Sequence, residues 1–230
     1  MNVLITGCSR GIGLQMVKMA VLQRWRVFAC CRNPQQAAKL MEVAQMSAGL
    51  VSVHILDLSE PATIQALAYE LRNEPLDMLI NNAGVYGSLN NQWGAVDTAD
   101  WQKTFAINTI APYQVSQAFL PNLHMGEKKL IAMLSSKMGS MSDNTSGGCY
   151  IYRSSKAALN SVVKSMSVDL SEYGITILAM HPGWVKTDMG GPNAEISTRE
   201  SVQQLFDSMQ RATSADSGQF LDIDGCIIPW

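Results

Sequence analysis

Thr6-Gly7-Cys8-Ser9-Arg10-Gly11-Ile12-Gly13 follows the short apolar run Asn2-Val3-Leu4-Ile5 and precedes an apolar-periodic segment. Glycines at such a junction permit a tight turn and let the backbone approach a ligand closely. A helix starting at Gly11 would add unpaired N–H donors and the positive end of its dipole, which together suit a pyrophosphate. Read alone, the stretch is also an ordinary glycine-rich turn. Its place directly after an N-terminal strand favours the dinucleotide-binding reading.

Outward from this loop, short apolar runs alternate with longer helical patterns. Strands are expected at 3–6, 26–31, 51–56, 77–80, 129–135, 175–180 and 218–223. Helices are expected at 11–24, 35–46, 61–72, 101–120, 152–173 and 199–211. This alternation predicts an α/β fold: a doubly wound, Rossmann-type parallel sheet of about seven strands with helices on both faces. No internal repeat or linker divides the chain, so one domain over 1–230 is expected. The loops richest in Gly, Ser, Asn and Pro, at 84–94, 139–148 and 182–192, all follow strands, where such a sheet places its ligand.

The 230 residues are enough for one well-buried domain. With 47% hydrophobic and 16% charged residues and a net charge of -2, disorder and binding to nucleic acid or an anionic membrane are disfavoured. Cys8, Cys30, Cys31, Cys149 and Cys226 include no Cys-x-x-Cys pair, and His54, His124 and His181 are scattered. Reduced thiols, no metal site and a cytoplasmic location are therefore expected. Neither a leader nor a membrane-spanning segment is expected either, because the first residues read as a strand and no apolar run is long enough.

Coenzyme choice is read at the end of the second strand, where an NAD site carries an acid for the ribose 2′-hydroxyl. Here the chain runs Cys30-Cys31-Arg32-Asn33-Pro34-Gln35-Gln36 and meets no acid before Glu42. Arg32 and Arg10 converging on one spot would suit a 2′-phosphate, so NADP(H) is expected. The alternative leaves Arg32 solvated at a strand end. Asp57 and Leu58 would contact the adenine, although Asp57 also suits a helix cap. Asn82, Ala83 and Gly84 would let the backbone lie against a ribose, or form a simple turn.

Tyr152 and Lys156 are four residues apart and fall on one face of a helix. An ammonium beside a phenol favours the phenolate, so a lowered tyrosine pKa is expected. Such a tyrosine can exchange a proton with a substrate near neutral pH. Tyr150 lacks this partner, because Ser154 stands four residues on.

The ordered set 6–13, Asp57, 81–84, Asn108, Ser135-Ser136, Tyr152–Lys156 and Pro182-Gly183 with Thr187 resembles the short-chain dehydrogenase/reductase family over nearly the whole chain. Residues 142–148 and the ending from Asp222 to Trp230 resemble its C-factor and Sniffer-type carbonyl-reductase branch. The resemblance implies a tetrad. Tyr152 would exchange the proton with the substrate oxygen, and Lys156 would lower its pKa and hold the nicotinamide ribose. Ser136 would orient the carbonyl, and Asn108 would hold a relay water. It also implies coenzyme contacts at Gly7, Ser9, Arg10, Gly11, Ile12, Gly13, Arg32, Asp57, Leu58, Asn82, Ala83, Gly84, Tyr152, Lys156, Pro182, Gly183, Val185 and Thr187.

The interval from Ser136 to Tyr152 is longer than in many family members, which leaves Ser135 and Ser140 as other candidates for the serine. Asn108 could instead cap a kink, and Lys156 could be solvated. His181 reads as support for a strand end.

A short lid over 188–197 suggests an open substrate site, with Tyr86, Trp93, Met138, Met141, Trp184 and Met189 as lining candidates. The implied activity is NADPH-dependent reduction of a small aldehyde or ketone. The alternatives are an NADP-dependent alcohol or steroid dehydrogenase and a coenzyme-binding signalling protein. The expected partner is a small carbonyl compound, with no nucleic acid or membrane. Family resemblance adds a homodimer or homotetramer through helices 101–120 and 152–173.

Overall fold

The structure, a computed structural model, describes residues 1–88 and 92–230. Residues 89–91 of the 84–94 loop lie outside the described residues. Seven parallel strands form one sheet in the order β3-β2-β1-β4-β5-β6-β7. They are β1 (Asn2–Ile5), β2 (Arg26–Cys31), β3 (Val51–Ile55), β4 (Met78–Asn81), β5 (Leu130–Leu134), β6 (Thr176–Met180) and β7 (Gln219–Leu221). The order reverses between β1 and β4, and the crevice at their carboxyl ends is where a doubly wound sheet binds ligands.

The central strands are buried on both faces, so they read as continuous apolar runs without alternation. Alternation survives in where the side chains go. Val3 and Ile5 join a core with α1 (Gly11–Leu22), α2 (Ala38–Met46) and α8 (Thr198–Arg211). Leu4 and Phe28 join a second core on the opposite face, with α3 (Pro61–Glu70), α5 (Ala111–Ala118) and α7 (Tyr150–Asp169). All five cysteines are free. Among the described residues, no helix is long and apolar enough to cross a membrane.

The sequence predicts one helix over 101–120, and the structure breaks it. α4 (Thr98–Phe105) passes through a π-helical turn at Ala106–Ile110 into α5, and a separate α6 (Leu120–Met125) follows. Pro112 carries no N–H, so the Asn108 carbonyl four residues back loses its α-helical donor. A widened turn accommodates that gap. The start of α7 also differs. Gly147, Gly148 and Cys149 all have positive φ, so the chain turns sharply and the helix begins at Tyr150.

Candidate active site

The glycine loop is locked to the end of β4. Asn82 Nδ2 donates to the carbonyls of Thr6 and Gly7 at 2.8 and 3.2 Å, and the Ala83 N–H donates to Thr6 Oγ1 at 3.0 Å. Gly7 has φ +74°, and a Cβ on Gly13 would press on the Gly7 carbonyl and lie 2.6 Å from Asn82 Nδ2. At the N-terminus of α1, Arg10 makes no side-chain cap and the first turn holds no acid. Its leading N–H groups therefore lack an internal acceptor and favour an anion.

A cleft of ≈ 610 Å³ opens over this helix end. Its wall includes Gly7, Ser9, Arg10, Gly11, Ile12 and Gly13 from the loop, and Asn82, Ala83 and Gly84 after β4. Leu134 and Ser135 at the end of β5, Tyr152 and Lys156 of α7, and Pro182 and Thr187 after β6 line its other end. The bare glycine cradle, the uncapped helix end and the cationic groups along the wall fit a phosphate-bearing dinucleotide. Lys18 and Lys39 also line the cleft, and the sequence reading missed both. No local pattern marks a helix-surface lysine as cleft-facing before the packing of α1 and α2 is known.

The expected meeting of Arg10 and Arg32 is not what the structure shows. Arg10 Nη1 pairs with Asp188 Oδ2 at 2.9 Å, with both side chains exposed. Arg32 lies outside the cleft wall, at the end of β2, where its charge acts on Asp57. Burial opposes ionisation of Asp57, but hydrogen bonds from Ser59 and the charge of Arg32 outweigh it and hold the carboxyl below its ordinary range. Asp57 Oδ1 accepts from both the N–H and the hydroxyl of Ser59, so it stabilises the turn after β3. Asp57, Leu58, Asn108, Ser136, Gly183 and Val185 are also off the wall, which Ser135 lines instead, and Val185 is buried in a bridge with Ile196.

At the other end of the cleft, the structure brings Tyr152 and Ser136 together. Ser136 follows β5 and caps a short 3₁₀ turn at Lys137–Gly139. A Cβ on Gly139 would lie 2.9 Å from the Lys156 backbone, so glycine lets this turn rest directly on α7. The Ser136 hydroxyl faces the Tyr152 phenol, where a hydrogen bond from it favours the phenolate. The other two serines are engaged elsewhere: Ser135 Oγ donates to Asn160 Oδ1 and Ser140 Oγ to the Pro229 carbonyl, both at 2.5 Å. Arg153 ties the lengthened segment to α7 through Ser146 Oγ at 2.8 Å.

Lys156 is buried, and its Nζ donates to the Leu134 carbonyl at 2.8 Å. That acceptor is a main-chain atom and carries no mark in the sequence. The Nζ stands 5.9 Å from the centre of the Tyr152 ring. The expected lowering of the tyrosine pKa is reversed here. Burial pushes Tyr152 up to about 12, and the Ser136 hydrogen bond offsets only part of this. Burial likewise pushes Lys156 down to about 8. Withdrawal from water disfavours both charged forms, and it dominates here.

Asn108 sits in the π turn with both amide hydrogens and one oxygen lone pair engaged. Oδ1 accepts from the Val85 N–H at 2.9 Å, and Nδ2 donates to the Val85 carbonyl and to Ser155 Oγ at 2.8 and 3.0 Å. A Cβ on Gly84 would lie 3.2 Å from Asn108 Oδ1 and 3.5 Å from Lys156 Nζ, so the two groups flank one glycine. Of the proposed substrate-lining residues, Met189 lies in the cleft wall, while Trp93 lines a separate cavity. His181 is largely buried, with Nδ1 lacking a partner and its pKa lowered by burial.

Comparison with known proteins places this geometry in a family. The C-signal of Myxococcus xanthus is 45% identical over 167 residues, covering 73% of this chain and all of that protein. The NADPH-bound carbonyl reductase from chicken fatty liver superposes with a TM-score of 0.91 at 36% identity, over 100% of this chain and 98% of that one. The carbonyl reductase Sniffer of D. melanogaster gives 0.92 at 33% identity, over 100% and 99%. Residues 1–198 match the short chain dehydrogenase family, and the chain belongs to that family.

Proposed function

We propose that this protein is an NADPH-dependent carbonyl reductase acting on small aldehydes and ketones from one Rossmann domain over 1–230. The observation that carries the reading is the cleft itself. One end is an uncapped helix under a glycine cradle, and the other is the buried Tyr152, facing Ser136 and one turn from Lys156. The carbonyl reductases it resembles, one of them NADPH-bound, support the same reading.

When bound, NADPH supplies the hydride for the carbonyl carbon; every other step falls to the chain's own residues. The glycine loop and the N–H groups of α1 would hold the pyrophosphate. Arg10, Lys18 and Lys39 offer positive charge for the 2′-phosphate, and no acid closes β2 to favour NAD. Asn82, Ala83, Gly84, Pro182 and Thr187 would hold the sugar and carboxamide end, with Gly183 and Val185 shaping the segment behind them.

Negative charge builds on the substrate oxygen during reduction, and two hydroxyl donors, Tyr152 and Ser136, stabilise it there. Tyr152 then gives its proton to that oxygen. A phenol pushed up to about 12 is protonated at neutral pH, the form a proton donor needs. Lys156, pushed down to about 8, still carries its proton there and, on the cleft wall, would hold the nicotinamide ribose. The Asn108 amide commits both its hydrogens and one oxygen lone pair. Its main-chain carbonyl, four residues before Pro112 and so without an α-helical donor, is where we place the relay water.

Substrate-dependent NADPH oxidation over a panel of aldehydes and ketones tests the reading. Turnover is expected for wild type and lost in Tyr152→Phe. The C-signal likeness supports a second reading, a coenzyme-binding signalling protein. That reading gains if NADPH binds tightly and no carbonyl is turned over. We also place a homodimer contact on the outer faces of α5 and α7, where Tyr113 and Val168 are exposed beside Ile110 of the π turn. A monomer by light scattering would refute that contact.

A further inference from the structure

Tyr86 follows β4 and lies face to face with Tyr152, with ring centroids 4.7 Å apart and planes 28° apart. Its hydroxyl meets Cys149 Sγ at 3.1 Å. Cys149 caps α7 with φ +50° and stands three residues before Tyr152, so Tyr86 spans the first turn of the helix. The backbone around Tyr86 is pinned on both sides. Asn108 holds both the N–H and the carbonyl of Val85. On the other side, a Cβ on Gly87 would come within 2.9 Å of Ile151 Cγ2 and 3.0 Å of Thr104 Oγ1. The Ser88 N–H donates to Asp100 Oδ2 at 2.5 Å.

We propose that Tyr86 is a positioning residue that fixes the ring plane of Tyr152, so that the phenol hydroxyl stays aimed at Ser136 and the substrate oxygen. A tyrosine ring projecting from a helix turns about two torsions unless its neighbours hold it. Face-to-face packing against a ring that is itself anchored removes that freedom. Proton transfer depends steeply on such alignment. Asn108 therefore acts on Tyr152 through Val85 and Tyr86, besides its place beside Lys156. The inference rests on the reductase reading, in which Tyr152 is the proton donor.

The same stack shields the phenol from water. The polar groups that face Tyr152 are the Ser136 hydroxyl from the end of β5 and Lys156 on its own helix. Those that face Tyr86 are Cys149 and Arg153. Removing the Tyr86 ring would admit water to the phenol and ease its ionisation, moving the alkaline limb of the reduction rate to lower pH.

The test compares wild type, Tyr86→Phe, Tyr86→Ala and Tyr152→Phe, with NADPH and a reducible member of the aldehyde panel, benzaldehyde where it is turned over. Tyr86→Phe keeps the stack and should hold kcat within about twofold. Tyr86→Ala should lose about tenfold in kcat, the upper range for one aromatic pair. Its NADPH affinity, by fluorescence titration, should match wild type, and its alkaline limb should move down. Unchanged kcat and pH profile in a folded Tyr86→Ala would overturn the proposal, as would a rise in KM alone. Turnover surviving in Tyr152→Phe would instead bring down the reductase reading beneath it.

Discussion

Arg10 and Asp188 meet at 2.9 Å, one from the glycine loop and the other from the segment after β6, and both line the coenzyme cleft. The pair therefore engages the guanidinium on which the 2′-phosphate reading depends. Both side chains are exposed, and an exposed pair contributes only ~0–1 kcal/mol. A phosphate, with more charge and several acceptor oxygens, outcompetes a lone carboxylate for Arg10. Asp188→Asn should then tighten NADPH binding by up to about fivefold, the equivalent of ~1 kcal/mol. Arg10→Ala should weaken it about tenfold and flatten its salt dependence. Fluorescence titration at two ionic strengths measures both. Weaker binding in Asp188→Asn would make the carboxylate part of the coenzyme site and not a competitor.

The long interval between Ser136 and Tyr152 leaves the catalytic serine open in sequence, and the geometry favours one choice. Ser136→Ala should lower kcat by roughly a hundredfold or more, as loss of one donor to a developing oxyanion does. It should also raise the tyrosine pKa further, because the hydrogen bond it removes favours the phenolate. Ser140→Ala should leave kcat within a few-fold and lower the melting temperature, since its hydroxyl holds Pro229. Comparable kcat losses in both variants would return the assignment to the choice the sequence left open.

What the sequence made legible follows physical lines. Buried parallel strands announce themselves as apolar runs, and β2 is found at its predicted limits, 26–31. The glycine loop and the Tyr152–Lys156 spacing are local patterns, so both could be read directly. The features missed depend on atoms without identity in a sequence or on distant packing. The acceptor for Lys156 is a backbone carbonyl of β5. The partner of Arg10 lies 178 positions away. The broken helix turns on one proline whose effect depends on a ladder of main-chain bonds. The reversed tyrosine shift has the same origin, because spacing reveals a neighbouring charge but not the depth of burial.

Lys156 sets a stability prediction with a definite sign. Its ammonium loses a proton near pH 8 in the fold and near 10.5 in the unfolded chain. Between these values the unfolded chain binds more protons, so the contribution of Lys156 to stability rises with pH across that window. Below about pH 8 the fold bears the full cost of the buried ammonium, of order 3 kcal/mol. Lys156→Met should therefore melt several degrees higher than wild type at pH 7, with the gap narrowing toward pH 10. Turnover should be lost throughout. Tyr152 shifts the opposite way but acts only above about pH 10, where the unfolded phenol ionises first. A gap constant from pH 7 to 10 would show that Lys156 is not destabilised by burial.

Pro112 separates helix stability from turnover. It lacks the N–H that would close on the Asn108 carbonyl, and the π turn at Ala106–Ile110 sits just before it. Pro112→Ala supplies that donor. The helix should regularise, and the melting temperature should hold or rise by a few degrees, since proline within a helix is unfavourable. The carbonyl would then be occupied, and a water held there could no longer carry protons to Lys156. Turnover should fall about tenfold, a scale typical of a lost acid–base path. Asn108→Ala gives the contrast: it removes the grip on Val85 and Ser155, so it should lower both turnover and melting temperature. A Pro112→Ala enzyme as fast as wild type would take the proton path away from this carbonyl.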